Sequence, residues 1–257
     1  MEELPTFRLD GKIALVTGST RGIGRELATG FARAGARVWV HGRRRNEAEQ
    51  LAAELSGPFV AADLGTPDGA RALAESVIAA DSRLDVLVNN AGLEETMPIA
   101  AMDMERFDRV WHVNVRAPVE LVHRLLPLLR AAPGASVINV TSIHDVVPYA
   151  QNSAYCASKA ALAMFTRTIA IELGPEGIRV NNLAPGAVET DINREVLDQI
   201  GRQQFQEWIP LGRVAQTSEM VGPALFLASD ASRYVTGATL YAEGGYMQHL
   251  VRYRPVL

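Results

Sequence analysis

The 257-residue sequence has a single cysteine, no excess of basic residues and no long apolar run. Cys156 alone cannot form a disulfide within the chain, which is typical of a reducing compartment. Against 29 acidic residues, 25 basic ones give a formal net charge of −4, so the total charge does not indicate binding to nucleic acid or a membrane surface. The longest uncharged stretch, residues 131–143, is shorter than the ~20 residues that span a bilayer, and the N-terminus lacks a basic and apolar leader. We therefore expect a cytoplasmic, soluble protein with neither a nucleic-acid nor a membrane partner.

Composition excludes a disordered chain, because 48% of the residues are hydrophobic and 21% are charged, as in ordinary globular proteins. At about 150 residues per domain the length allows one or two domains. A chain of this size can bury roughly 75% of its unfolded surface, so it needs no metal or disulfide to fold. We expect no metal site.

Short apolar runs alternate with segments of helical period along almost the whole chain. The predicted strands cover residues 12–17, 37–41, 58–62, 84–88, 135–140, 179–183 and 237–242, and the predicted helices cover 22–34, 47–55, 67–80, 104–130 and 152–173. Almost wholly apolar strands separated by helices indicate a parallel sheet covered on both faces. We predict an α/β fold: a single doubly wound (Rossmann) domain over residues 1–257, with a mainly parallel sheet of about seven strands, helices on both faces, and a less regular insertion at residues 187–213.

A glycine-rich loop lies at the first junction between strand and helix, residues 17–24, with the spacing Gly-x-x-x-Gly-x-Gly. Glycines permit a tight turn, and the helix that begins there directs its first N–H groups and its positive dipole end into the crevice. A dinucleotide pyrophosphate is the expected occupant. The predicted cofactor-binding residues of this loop are Gly18, Ser19, Thr20, Arg21, Gly22, Ile23 and Gly24.

The end of the second strand indicates which dinucleotide binds. A free ribose 2′-hydroxyl is usually held by a carboxylate roughly 20 residues beyond the glycines, but this sequence has three consecutive arginines there, residues 43–45. Because guanidinium groups bind phosphate bidentately, Arg43, assisted by Arg21, is expected to favour the 2′-phosphate of NADP(H), with NAD(H) a possible second cofactor. Arg44 is a further cofactor candidate, although Arg44 and Arg45 equally fit the solvated start of a helix.

Tyr155 and Lys159 are four residues apart in a predicted helix, so both side chains lie on one face, and Ser142 follows the fifth strand. Tyrosine has a reference pKa of about 10, and lowering it by ~3 units requires about 4 kcal/mol. A cation at ~4 Å supplies about that much at an effective dielectric of 20. We therefore expect Lys159 to make Tyr155 an acid/base near neutral pH.

In combination these residues resemble the short-chain dehydrogenase/reductase family. Residues 17–24, the Asn89-Asn90-Ala91-Gly92 run, Asn114, Ser142, Tyr155 with Lys159, and Pro185-Gly186 occur in the order and spacing of that family, over essentially the whole chain. The resemblance implies an oxidoreductase that transfers a hydride between NADP(H) and a hydroxyl or carbonyl substrate. It further implies that Tyr155 exchanges the proton, Ser142 holds the substrate oxygen, Lys159 binds the nicotinamide ribose and Asn114 anchors a water relay. The remaining cofactor contacts that it implies are Asp63, Leu64, Asn90, Ala91, Gly92, Pro185, Gly186, Val188 and Thr190.

Within the family, the stretches around Glu94, His144 and Asn193 are similar to glucose 1-dehydrogenases, and the Gly42-Arg43 stretch is similar to gluconate 5-dehydrogenases. Glu94, Ser142, His144 and Asn193 are therefore the expected substrate contacts for a sugar, polyol or related molecule, although Glu94 and His144 equally fit rim or packing positions. Glu189 replaces the neutral residue expected beside the nicotinamide, which argues against tight binding of anionic sugar acids. Two alternatives stay open: a reductase of 3-oxoacyl groups on an acyl carrier protein or of small ketones, and a non-catalytic NADP-sensing regulator.

The insertion at residues 187–213 mixes apolar residues with charges, as a substrate lid would, but it also fits a satellite of the core or a subunit contact. The family resemblance implies a homotetramer.

Overall fold

Seven strands form one parallel sheet in the computed structural model, which describes residues 6–190 and 201–249. Their order across the sheet is β3-β2-β1-β4-β5-β6-β7, and every neighbouring pair is parallel. The strands are β1 (Ile13–Val16), β2 (Arg37–Gly42), β3 (Phe59–Ala61), β4 (Val86–Asn89), β5 (Ser136–Val140), β6 (Arg179–Pro185) and β7 (Thr239–Ala242). All seven predicted strands are confirmed, within two residues at either end, as is the doubly wound α/β class.

The described helices are α1 (Gly22–Arg33), α2 (Arg45–Leu55), α3 (Gly69–Ala80), α4 (Met104–Trp111), α5 (Ala117–Arg130), α6 (Ser153–Leu173), α7 (Arg202–Gln206) and α8 (Val221–Ala228). The predicted helices before α4, and the one at α6, agree with the structure within two residues. Helix α8 is an addition that the periodicity did not indicate. None of the helices in the described ranges is long and apolar enough to cross a membrane.

The predicted continuous helix over residues 104–130 is interrupted. A π-helical segment, His112–Arg116, separates α4 from α5. Pro118 in the first turn of α5 explains the interruption, because proline has no N–H and cannot donate the α-helical hydrogen bond to the carbonyl of Asn114. The helical period continues through this segment in the sequence, so the pattern alone did not show it.

Alternate residues of the strands supply two cores, one on each face of the sheet. Leu15, Leu87 and Val137 pack with side chains from α3, α5 and α6, whereas Val16 and Val88 pack with α1 and α8. Each fully buried aliphatic or aromatic side chain of this kind contributes roughly 1.5–3 kcal/mol. These two cores fix the carboxyl ends of the strands along one edge, and the strand order reverses between β1 and β4, where open α/β sheets form a ligand crevice.

Candidate active site

The glycine loop connects β1 to α1 at this edge. Gly18 has φ of 63°, and a Cβ on Gly24 would lie 2.3 Å from the Gly18 carbonyl oxygen, so the loop closes on itself only because these positions lack side chains. Arg21 precedes α1 and makes no side-chain capping hydrogen bond. The first N–H groups of α1 therefore face the crevice without a capping side chain, an arrangement that favours a bound anion.

Asn90 joins the end of β4 to the glycine loop. Its Nδ2 donates to the carbonyl oxygens of Thr17 at 2.8 Å and Gly18 at 3.3 Å. The Thr17 hydroxyl accepts from the backbone N–H groups of Asn90 and Ala91, both at 3.0 Å. The structure thus brings together the two stretches that the sequence assigned to the cofactor, residues 17–24 and residues 90–92.

The three arginines at residues 43–45 follow β2 beside the same loop. A Cβ on Gly42 would be 2.4 Å from the Thr20 methyl group, so glycine permits the close approach of β2 to the loop. Arg44 pairs with Glu47, and the Arg45 guanidinium lies 5.2 Å from the centre of the Phe59 ring. Both arginines therefore have partners of their own.

Arg43 and Arg21 differ from these two arginines. Both are exposed, and no ion pair joins either of them to another residue of the described ranges. This is the state expected of guanidinium groups that are available to a phosphate.

Asp63 follows β3, accepts from the Gly65 N–H at 2.9 Å and lies 3.5 Å from the Arg109 guanidinium. Leu64 beside it is buried. On the other side of the crevice, Pro185 ends β6, Val188 is buried and Gly186 packs against Glu243.

Thr190 lies on the same side of the crevice, with its methyl group 3.8 Å from the point where a Cβ on Gly22 would be. This distance places Thr190, the last residue of the first described range, beside the glycine loop.

Ser142, Tyr155 and Lys159 meet at the carboxyl end of β5. Lys159 is buried; its Nζ donates to the Val140 carbonyl at 2.8 Å and lies 5.6 Å from the centre of the Tyr155 ring. Ser142 is 7% exposed and accepts from the His144 N–H at 3.2 Å. The predicted triad is therefore assembled from one strand end and one helix face.

Asn114 ties three segments together behind this triad. Its Nδ2 donates to the Leu93 carbonyl and to the Ser158 hydroxyl, both at 2.9 Å, and its Oδ1 accepts from the Leu93 N–H at 2.8 Å. The Ser158 hydroxyl in turn donates to the Tyr155 carbonyl at 2.7 Å. A Cβ on Gly92 would lie 3.5 Å from Lys159 Nζ and 3.7 Å from Asn114 Oδ1. Lys159 and Asn114 thus lie beside Gly92, in the stretch of residues 90–92 that contacts the glycine loop.

The electrostatics differ from the sequence-based expectation that Lys159 lowers the Tyr155 pKa. Burial, and next the negative charge of Glu94, raise the pKa of Tyr155 above its ordinary value, while the Ser142 hydroxyl opposes them. Burial lowers the pKa of Lys159 to about 8, although Glu94 and Asp145 oppose this shift. The expectation fails here because it counted the attraction of the ammonium and omitted the cost of burying the phenolate.

Two of the predicted substrate residues, His144 and Glu94, lie near the Tyr155 ring. His144 lies edge-on to Tyr155, with ring centroids 6.3 Å apart, and stacks on Tyr149 at 5.3 Å. Burial raises the pKa of the nearby Glu94, and positive charge at His144 and Lys159 opposes the shift. Asn193 lies outside the described residues.

Glu189 pairs with Arg202 on α7. This ion pair offsets the extra negative charge that Glu189 brings to the cofactor side of the crevice.

Three contributors were missed in the sequence. Ser158 fixes Asn114, the Val140 carbonyl holds Lys159, and His41 contacts the glycine loop through its ring. Ser158 directly precedes Lys159, and His41 directly precedes the glycine before Arg43, so both were close to residues already selected.

Within the described ranges, no group of three His, Cys, Asp or Glu side chains could hold a metal ion.

The chain is similar in sequence to known oxidoreductases. Residues 18–247 match the family model described as enoyl-(acyl carrier protein) reductase. The chain is 34% identical to D-threitol dehydrogenase of Mycolicibacterium smegmatis, over 93% of this chain and 94% of that protein. It is 36% identical to the rhamnolipids biosynthesis 3-oxoacyl-[acyl-carrier-protein] reductase of Pseudomonas aeruginosa, over 94% and 98% of the two chains.

Among solved structures, a gluconate 5-dehydrogenase from Burkholderia cenocepacia in complex with NADP and tartrate matches with a TM-score of 0.90 and 32% identity, covering 95% of this chain and 98% of that one. The shared fold, the coverage and the assembled serine, tyrosine and lysine lead to one conclusion: the chain belongs to the short-chain dehydrogenase/reductase family of oxidoreductases.

Proposed function

We propose that the protein transfers a hydride between NADP(H) and a hydroxyl or carbonyl group of a sugar, polyol or related substrate. The observation that carries the proposal is the approach of Lys159 to the Asn90–Gly92 stretch: its Nζ lies 3.5 Å from the point where a Cβ on Gly92 would be, and Asn90 is bonded to the glycine loop. The gluconate 5-dehydrogenase bound to NADP and tartrate and the D-threitol dehydrogenase support this choice of cofactor and substrate class.

The described residues fit the cofactor. The uncapped N-terminus of α1 would hold the pyrophosphate, Asp63 and Leu64 would flank the adenine, and residues 185–190 would contact the nicotinamide. Bound NADP(H) would supply or accept the hydride. Lys159, whose Nζ lies beside Gly92, would hold the nicotinamide ribose.

Tyr155 would exchange a proton with the substrate oxygen while Ser142 holds that oxygen. Because its pKa lies above the ordinary value, the phenol is protonated at neutral pH and is ready to donate to a carbonyl in the direction of reduction. Oxidation of an alcohol requires the phenolate and should be favoured as the pH rises. Asn114 would anchor a water between Lys159 and solvent, since its carbonyl receives no hydrogen bond from Pro118.

A substrate screen tests this function. Aldoses, sugar acids, polyols, small ketones and 3-oxo esters would be tested with NADPH, NADP, NADH and NAD, following the absorbance of the reduced nicotinamide. Sugars or polyols should turn over, and Tyr155→Phe should abolish turnover while NADPH binding stays within about twofold. NADPH binding without turnover of any substrate would instead support a regulator that senses NADP.

The 36% identity to a 3-oxoacyl reductase favours a second candidate, reduction of 3-oxoacyl groups. The formal net charge of −4 argues against it, because an acidic carrier protein needs a basic docking patch. A higher kcat/KM for 3-oxo esters than for every sugar and polyol would establish this second candidate.

NADP preference is assigned to Arg43, since Arg44 and Arg45 have partners on or beside their own helix. A charge-assisted hydrogen bond is worth about 1.5–3 kcal/mol, so Arg43→Ala should raise the Kd of NADPH by roughly 10-fold to 100-fold and leave that of NADH unchanged. Arg44→Ala is the matched control and should change neither Kd by more than about threefold. Equal losses for the two variants would contradict the assignment.

The remaining assignments are also proposals: a cytoplasmic homotetramer, and a substrate lid at residues 187–213, of which residues 191–200 lie outside the described ranges. Met164 and Ile171, on the outer face of α6, are 55% and 80% exposed in the single chain, which agrees with a subunit contact on that face. Light scattering after size-exclusion chromatography would test it, because a monomeric mass excludes the tetramer.

A further inference from the structure

The imidazole of His41 links two segments of the cofactor crevice. His41 lies within β2, just before Gly42, and is 2% exposed. Its Nδ1 accepts from the Gly18 N–H at 3.0 Å, and its Nε2 lies 3.1 Å from the Ala62 carbonyl oxygen. A backbone N–H can only donate, so Nδ1 carries no proton, and Nε2 then bears the proton and donates it to Ala62. The contacts therefore require one neutral tautomer.

The backbone of His41 holds the next residue of the same loop. Ser19 N donates to the His41 carbonyl at 2.8 Å, and His41 N donates to the Ser19 hydroxyl at 2.9 Å. His41 thus fixes two successive residues of the glycine loop. On its other side it contacts Ala62, which directly precedes Asp63, and the chain continues from His41 through Gly42 to Arg43.

Three segments that would hold three parts of the dinucleotide consequently meet at one residue. Because the Gly18 N–H is already bonded to the His41 ring, it is not available as a donor to phosphate, and the anion must be held by the N–H groups at the start of α1. The contact therefore fixes the shape of the loop before a ligand arrives, and such preorganisation reduces the cost of ordering on binding.

We propose that His41 is a positioning residue for the dinucleotide: through Gly18 and Ala62 it holds the glycine loop, Arg43 and Asp63 in the arrangement that binds NADP(H). This inference rests on the proposed function. It assigns to His41 an effect on cofactor affinity and none on the chemical step, because its ring contacts backbone groups of Gly18 in the glycine loop and of Ala62, directly after β3.

Two isosteric variants separate its contacts. His41→Asn places an acceptor near the position of Nδ1 and keeps the bond from Gly18, whereas His41→Gln places its amide near Nε2 and leaves the partly buried Gly18 N–H without this partner. Isothermal titration with NADPH should give a Kd about tenfold or more above that of wild type for Gln, and a smaller increase for Asn, which keeps the bond from Gly18 and loses the one to Ala62. For both, kcat at saturating NADPH should stay within about twofold.

Ser136→Ala is the control. It removes a buried hydrogen bond, from the Ser136 hydroxyl to the Leu227 carbonyl at 2.8 Å, at the opposite end of the sheet from the crevice. It should lower the stability without changing the Kd of NADPH. A loss of affinity in this control as large as that in His41→Gln would show a general effect of stability and overturn the inference.

The outcomes distinguish the inference from the function on which it rests. Wild-type protein that binds no NADPH refutes the proposed function. Wild-type binding together with equal affinities of the Asn and Gln variants refutes the role of His41. If neither variant folds, the nitrogen chemical shifts of the wild-type imidazole decide, because a ring protonated at Nδ1 is incompatible with the Gly18 contact.

Discussion

Mild acidification should destabilise the folded protein through His41. Burial lowers the pKa of His41 from 6.5 to about 4, whereas the unfolded chain retains a value near 6.5. Between these values the unfolded chain binds more protons, so the free energy of unfolding falls as the pH falls from about 6.5 towards 4 and is unaffected above that window. At pH 5, protonation of this ring shifts the equilibrium towards the unfolded chain by roughly 30-fold, or about 2 kcal/mol, relative to pH 8.

Urea unfolding at pH 8, 6.5 and 5 would measure this loss, at one protein concentration and for both wild type and His41→Asn. The variant has no titrating ring at this position, and every other titrating group is common to the two proteins. Wild type should therefore lose about 2 kcal/mol more than the variant between pH 8 and pH 5. If the two curves stay parallel within about 0.5 kcal/mol, His41 is not held neutral by burial and the reasoning fails.

Two substitutions test the electrostatics of Tyr155 and the backbone of α2. Glu94→Gln removes a charge that raises the Tyr155 pKa, so the ionisation of Tyr155 in the pH–rate profile should move to lower pH by about 0.5–1 unit. Glu95→Gln is the control and should leave this ionisation in place. An unchanged profile in the Glu94 variant would refute the assignment. Ser56 follows α2 with φ of 52°, so Ser56→Gly should raise the free energy of unfolding by about 0.5–1 kcal/mol. Ser76→Gly inside α3 should lower it by about 0.5 kcal/mol, and urea unfolding that gave the same sign for both would contradict the argument.

The strands were predictable because each is a short run of mostly apolar residues, and burial on both faces of a parallel sheet produces that pattern. The interruption at residues 112–116 was not predictable in the same way. It changes the hydrogen-bonding partner and leaves the apolar period nearly intact, so Pro118 was its only local signal.

The residues of the candidate site also differ in how far the sequence predicts their contacts. Tyr155 and Lys159 share a helix, and their spacing alone places them on one face. Asn114, Leu93 and Ser158 are held by hydrogen bonds between three separate segments, and no local pattern indicates which side chain meets which backbone group. The elevated pKa of Tyr155 also depends on burial by the whole fold.

The π-helical segment has a consequence for the two helices that it joins. Each α-helical residue turns the chain by about 100°, so one additional residue in a turn rotates the apolar stripe of the following helix by about that angle. Val110 of α4 accordingly packs near Ala154 of α6, while Leu121 and Leu125 of α5 pack in the core with α3. A uniform α-helix over these same residues would direct the apolar side chains of both halves to one side, and one of the two halves would lose its partner. The π-helical segment thus lets two consecutive helices pack against different partners, α4 against α6 and α5 against α3 and the sheet.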